Sequence, residues 1–125
     1  MNEVGYFEIH ANNPEEAIKF YTAVFDWEFF KDEMVPIEYW QIKTPGINGG
    51  LLKRPVASHS PEQGANAFVC SVQVEDFDKT AEKIMSAGGT VALEKFGIPG
   101  RCWQGYFLDT QGNTFGLFQV DPTAK

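Results

Sequence analysis

The stretch YFEIHANNPEEAIKFYTAVFDWEF, Tyr6 to Phe29, holds the reading of the fold. Phe7, Ile9 and Ala11 alternate with Tyr6, Glu8 and His10, the period of a strand with two distinct faces. Asn12-Asn13-Pro14 then offers a helix start, with Asn13 as N-cap, Pro14 at the first helical position and Glu15 and Glu16 in the first turn. Ala17, Phe20, Tyr21 and Val24 recur at helical spacing, so one stripe of the helix faces inward. Trp27 to Phe30 reads as a second strand.

Downstream, Ile37 to Lys43 reads as a strand, Thr44-Pro45-Gly46 as a turn and Asn48 to Lys53 as a short fourth strand. Residues 55–66, rich in Pro, Ser, Ala and Gly and carrying His59, read as a linker. The pattern then restarts. Ala67 to Val74 predicts a strand, Asp76 caps a helix through Ala87, and Gly88-Gly89 ends it. Val91 to Glu94, Cys102 to Leu108 and Thr114 to Val120 follow as strands, with a turn at Asp109-Thr110-Gln111-Gly112. An offset of 63 residues lays Tyr6 on Val69, Asn13 on Asp76, Trp27 on Thr90, Trp40 on Trp103 and Gly49 on Gly112. The order β-α-β-β-β thus occurs twice: module one at 1–54, the linker, and module two at 67–121. Two half-sheets, neither able to close its own core, are expected to pair around a shared cleft in one 125-residue α+β domain.

Composition narrows the class of function. Hydrophobic residues at 43% and charged residues at 22% are a soluble globular balance, and eleven Phe, three Trp and four Tyr suit a packed core or an apolar pocket. The net charge is −7, and Lys53-Arg54 is the only adjacent basic pair, so neither nucleic acid nor an anionic membrane is an expected partner. No apolar run reaches transmembrane length, and the start has no basic segment followed by an apolar one. Cys70 and Cys102 stand singly in strands, form no CxxC pair and have no basic neighbour fixed by sequence. They read as buried and inert in a reducing cytoplasm. No GxGxxG, P-loop or GxSxG motif occurs.

Three segments carry a family resemblance: NNPEEAIKFYTAVFDWEF, VQVEDFDKTAEKIMSAGGTV and FLDTQGNTFGLFQ. With them the chain resembles, over nearly its whole length, the vicinal oxygen chelate superfamily of glyoxalase I, extradiol dioxygenases and bleomycin- or fosfomycin-resistance proteins. The resemblance implies two βαβββ modules curled around a cleft, a homodimer, and usually a divalent metal held by His or Glu from both halves. Carried over one at a time, the family's ligand positions are Tyr6 and Val69, each seven residues before a helix N-cap, Gly116, four after Gly112, and one position in Asn48–Lys53. A constant offset from Gly116 points to Lys53 for the last, and an indel would move it into Asn48–Leu52. Val and Gly bring no donor, an ammonium repels a cation, and one phenol does not hold a metal alone. No cofactor is therefore expected, and the family's metal-dependent reactions become poor readings of this chain.

Family geometry makes the side of Tyr6, Glu8 and His10 the cleft side and places Phe7 and Ile9 under the helix. Glu8 is then a general base or an anchor for a ligand's hydroxyl or amine, since a carboxylate among apolar walls suits proton transfer. The plainer reading is a carboxylate hydrogen-bonded to Tyr6 or a neighbouring strand, lining a wet cavity. His10 reads as a rim residue. A shifted metal site built on Glu8, His10 and a distant group is a weak signal at i, i+2 spacing. Lys53 reads either as a cleft residue or as a solvated strand end, and Trp40 and Trp103 as stacking walls for a planar ligand or as core, their faces left open. Arg101, in GIPGRCW, reads as an anion receiver at the mouth or as a surface arginine. Two functions follow: a metal-free small-molecule binder with an aromatic cleft, or an enzyme using acid/base chemistry through Glu8 or a relocated metal.

Overall fold

The computed structural model describes residues 1–57 and 63–125. The chain divides into two compact units, Met1–Ser58 and His59–Lys125. His59 and part of the expected linker lie outside the described residues.

The first unit contains β1 (Phe7–Ala11), α1 (Pro14–Phe25), β2 (Glu28–Lys31), β3 (Tyr39–Lys43) and β4 (Gly49–Lys53). Asn13 caps α1 by accepting from the Glu16 N–H at 3.1 Å, and Pro14 starts the helix where a missing N–H costs nothing. Asp26 ends it in the left-handed region at φ 58°, its N–H bonded to the Thr22 carbonyl. The strands form one sheet in the order β1-β4-β3-β2, with β1 parallel to β4 and the other pairs antiparallel. Ile9, Ala11, Leu51 and Ile42 lie on the side that meets the α1 stripe of Ala17, Phe20, Tyr21 and Val24, all buried. Trp27 closes this layer, stacked on Tyr21 at 5.4 Å and against Phe7 at 5.7 Å between ring centroids.

The second unit repeats the plan with β5 (Ser71–Gln73), α2 (Phe77–Ser86), β6 (Thr90–Ile98), β7 (Cys102–Leu108) and β8 (Thr114–Val120), ordered β5-β8-β7-β6. Asp76 caps α2 through the Lys79 N–H at 3.0 Å, and Phe77, Ile84, Phe107, Phe115 and Leu117 form the layer beneath it. Helix α2 stops ahead of Gly88, whose φ of 100° suits a residue without Cβ. Among the described residues no helix is long and apolar enough to cross a membrane.

Five expected strands change their bounds, β2 and β4 by a single residue (Glu28–Lys31 for 27–30 and Gly49–Lys53 for 48–53) and three by more. The strand expected from Ala67 starts only at Ser71. Ser71 pairs with Gly116, so in parallel register residues upstream of Val69 run past the start of β8 and meet its turn instead of a strand. β6 runs four residues beyond Glu94 to Ile98, because two register shifts, at Val91/Leu93 and Leu93/Phe96, keep it paired with β7 through a break in alternation. β3 begins at Tyr39, not Ile37.

The internal repeat also needs a correction. The caps Asn13 and Asp76 keep the 63-residue offset, but Glu8 faces Gly50 in one ladder and Ser71 faces Gly116 in the other. The two glycines are 66 apart, and Gln41 and Tyr106, which face them across the next strand, are 65 apart. The counterpart of Gly116 is therefore Gly50, not Lys53. The counterpart of Trp40 is Gly105, not Trp103.

Candidate functional site

The face of the first sheet turned away from α1 carries a cluster of polar side chains beside the apolar Leu52 and Phe30. Strand alternation puts Glu8 and His10 on it from β1, Tyr39 and Gln41 from β3 and Phe30 from β2, and the Tyr6 side chain joins them ahead of β1. The hydroxyls of Tyr6 and Tyr39 lie 2.7 Å apart. The Tyr39 hydroxyl donates to Glu8 Oε2 at 3.2 Å, and His10 Nε2 stands 3.2 Å from Glu8 Oε1. On the other side the Tyr6 hydroxyl is 3.2 Å from Gln41 Oε1, and Gln41 Nε2 donates to Asp32 Oδ2 at 2.9 Å. Six residues from two strands and their flanks thus share one network.

Gly50 makes room for it. A Cβ at this position would run into the Tyr39 ring and hydroxyl and crowd the Tyr6 hydroxyl. The glycine is there because two phenols lie across the sheet above it, a packing requirement and not a turn.

The environment is graded. Tyr39 is buried, while the Glu8 side chain is 44% exposed and His10 38%. Burial first, then the hydrogen bond and charge of Tyr6, then Glu8, hold the Tyr39 proton well above the usual phenol range. The Gln41 amide, followed by the Met34 backbone N–H, lowers the Asp32 carboxyl below the usual range.

The residues picked from sequence separate accordingly. Tyr6, Glu8 and His10 come together in this network. Trp40 and Lys53 do not. Trp40 lies on the α1 side of the sheet, buried, with Lys31 Nζ 4.9 Å from its ring centroid. Lys53 pairs with Ala11, so it falls on that same side at an exposed strand end. Trp103 faces the α2 side of the second sheet: it pairs with Gln119, whose side chain accepts from the Phe77 N–H at the start of α2. Its indole N–H donates to Asp121 at 2.9 Å, and Lys95 sits over its ring at 4.7 Å. Arg101 is exposed in the turn joining β6 to β7. Cys70 is exposed and Cys102 half-buried, which corrects the reading of both as buried: Cys70 lies just ahead of the shortened β5, where its carbonyl accepts from the Gly116 N–H while the side chain stays open to solvent.

Tyr39, Gln41 and Asp32 were not singled out from sequence. The signal for two of them was present, because Tyr39, Gln41 and Lys43 alternate with the apolar Trp40 and Ile42. Asp32 precedes β3 in a loop, and nothing in its spacing points to Gln41.

In the second unit the matching face has a smaller polar group. Gln104 Nε2 donates to Ser71 Oγ at 3.4 Å, and both atoms occupy the space that a side chain at Gly116 would need. An open groove of about 590 Å³ lies elsewhere, between α2 and β6, with Phe77, Met85, Glu82 and Glu94 among its walls. It shares no residue with the sites picked from sequence.

The metal positions can be tested on these contacts. In the first unit Gly50 has no donor, and the Tyr6 hydroxyl is engaged with Tyr39 and Gln41. In the second unit Val69 has no donor, and the place of a Gly116 side chain is filled by Ser71 and Gln104. Among the described residues no three His, Cys, Asp or Glu side chains converge as a metal site. The donor set does not fit the family's metal.

The pattern of two βαβββ units, each with its first strand parallel to its last, agrees with a family model for the Glyoxalase/Bleomycin resistance protein/Dioxygenase superfamily that matches residues 3–117. The chain belongs to this superfamily. Its curated relatives include the "Putative glyoxylase CFP32" of Mycobacterium bovis and of Mycobacterium tuberculosis, each 25% identical over 118 residues, 93% of this chain. The chain spans 45% of the length of those relatives. Among solved structures, the hypothetical protein SA1046 of S. aureus is 20% identical with a TM-score of 0.74, the match covering 96% of this chain and 99% of that one. The fosfomycin resistance protein FosX of Listeria monocytogenes, solved as a point mutant with Mn(II) and 1S,2S-dihydroxypropylphosphonic acid, is 12% identical with a TM-score of 0.75, covering 97% of this chain and 94% of that one. Both structures share the fold.

Proposed function

We propose that this superfamily member binds a small organic molecule on the polar face of its first sheet, without the family's metal. The observation that carries this reading is the replacement at Gly50. Where a metal-binding relative needs a side-chain donor, this chain leaves a gap and fills it with the paired hydroxyls of Tyr6 and Tyr39, tied to Glu8. Such a network offers directed hydrogen bonds, and Phe30, which faces Gln41 and is half exposed, offers apolar surface beside it. FosX shows that a protein of this fold takes a small polar organic ligand together with manganese. In this chain the polar network supports recognition without the ion. A homodimer belongs to the same proposal.

A second reading is supported by the Tyr39–Glu8 contact. The Tyr39 hydroxyl orients the Glu8 carboxylate, which stays partly exposed, so acid/base catalysis through Glu8 is the enzymatic alternative. The two readings separate in one experiment. Chelator-treated protein is screened by thermal shift against small polar aromatics, and each hit is followed by mass spectrometry. A ligand that raises Tm and is recovered unchanged supports binding. A hit consumed with turnover, and spared by Glu8→Gln, supports catalysis. Hits that appear only after manganese or zinc is added refute both.

A further inference from the structure

The hydrogens of the network can be counted. Three oxygen–oxygen contacts run along it: Tyr39 to Glu8 at 3.2 Å, Tyr6 to Tyr39 at 2.7 Å, and Tyr6 to Gln41 Oε1 at 3.2 Å. The amide orientation is fixed by its neighbour, because Asp32 accepts only from the Nε2 end of Gln41, which turns Oε1 toward Tyr6. Each phenol brings one proton, and a carboxylate and an amide oxygen bring none. Two protons serve three contacts. The Glu8 carboxylate is a stronger acceptor than an amide oxygen and takes the Tyr39 proton; the short contact then takes the Tyr6 proton, and Gln41 Oε1 faces a lone pair of Tyr6.

We infer that the ligand of this face supplies the missing donor, and that it is an alcohol or a protonated amine with an apolar body, set against Gln41 Oε1 and lying on Phe30. This rests on the binding role proposed above. Gln41 is exposed, so solvent reaches this oxygen in the free protein and a ligand donor would displace it. Phe30 is the cross-strand partner of Gln41 and shares its face, so an apolar body next to the donor gains surface already laid out for it. Asp32 and Glu8 at the two ends, and a net charge of −7, favour the ammonium over a neutral or anionic group.

The test uses matched probes on the ¹⁵N-labelled full chain: benzylamine, benzyl alcohol and benzyl methyl ether, followed by amide and Gln41 side-chain NMR shifts at millimolar concentrations. The expected result is saturable shifts at Gln41, Phe30 and Gly50, with the amine and alcohol binding about tenfold more tightly than the ether, which has no donor. Gln41→Leu, at an exposed position, should bring the three probes to one affinity. Equal affinities in the native chain would overturn the donor inference and leave the binding face standing. Absence of shifts on this face with all three would overturn the face as well.

Discussion

Gly50→Ala places a methyl group where the Tyr39 ring and hydroxyl now lie, with the Tyr6 hydroxyl close by. Gly50 does not adopt a positive φ, so the backbone itself accepts alanine and the cost is one of space. Overpacking of this kind costs roughly 1–3 kcal/mol. Moving Tyr39 also breaks its contacts with Tyr6 and Glu8, worth about 0.5–1.5 kcal/mol each. The sum is a loss of about 2–6 kcal/mol, a large share of a typical stability of about 5–15 kcal/mol. Urea unfolding should show a lower midpoint at unchanged slope, and thermal melts should fall by about 3–6 °C per kcal/mol for a chain of this size. Gly46→Ala is the control: only Thr44 Oγ1 lies near its Cβ, at 4.0 Å, and its stability should stay within about 0.5 kcal/mol of the native chain. If Gly50→Ala behaved like Gly46→Ala, the two hydroxyls would not be seated over Gly50, and the reasoning built on them would fail.

Four further outcomes are expected. In an alkaline titration followed by phenolate absorbance, the difference between native protein and Tyr39→Phe should have its midpoint above the ordinary value of 10.0, because burial and Tyr6 hold that proton. A midpoint at or below 10.0 would place Tyr39 in open water. Because the folded state keeps this proton longer than the unfolded chain, its contribution to stability is complete below pH 10.0 and is lost as pH rises beyond it; Tyr39→Phe should flatten that decline. In acid the sign reverses at Asp121, whose carboxyl is lowered by the Thr123 hydroxyl and N–H and by Trp103. Its stabilisation is present above the unfolded value of 3.8 and lost as pH falls below it, so Asp121→Asn should make the acid limb of the stability curve shallower, and an unchanged limb would count against the assignment. Sedimentation at micromolar concentration should find a dimer, and a 14.0 kDa species alone would reject it.

Much of the fold was legible because its signals are local. Asn13 and Asp76 each precede an apolar helical stripe, and both caps form where the sequence places them. The ladders were less legible, because register depends on which residue a strand meets. A constant offset aligned Gly116 with Lys53, whereas pairing assigns it to Gly50, and that shift moves the position to the other face of the sheet. The site was half legible for the same reason. Glu8 and His10 stood out as charged residues on an alternating strand, while Tyr39 and Gln41 needed the β3–β4 register to be brought over Gly50. Trp40 was matched to Trp103 by the same offset, with its face left open. Its neighbours Tyr39 and Gln41 carry the polar alternation that puts it on the helix side. β6 lost its pattern at two register shifts, which no periodicity can foresee.

Recognition on this face, as proposed, needs no metal. The direct measurement is NMR mapping of a small polar aromatic ligand on protein purified without a metal-binding tag, dialysed against chelator and checked by elemental analysis. The expected result is less than stoichiometric Zn, Ni, Fe or Mn, saturable shifts at Gly50, Tyr39 and Gln41 in the chelated protein, and weaker binding by Glu8→Gln with the fold intact. About one metal per chain, or shifts on this face only after manganese or zinc is restored, would contradict it.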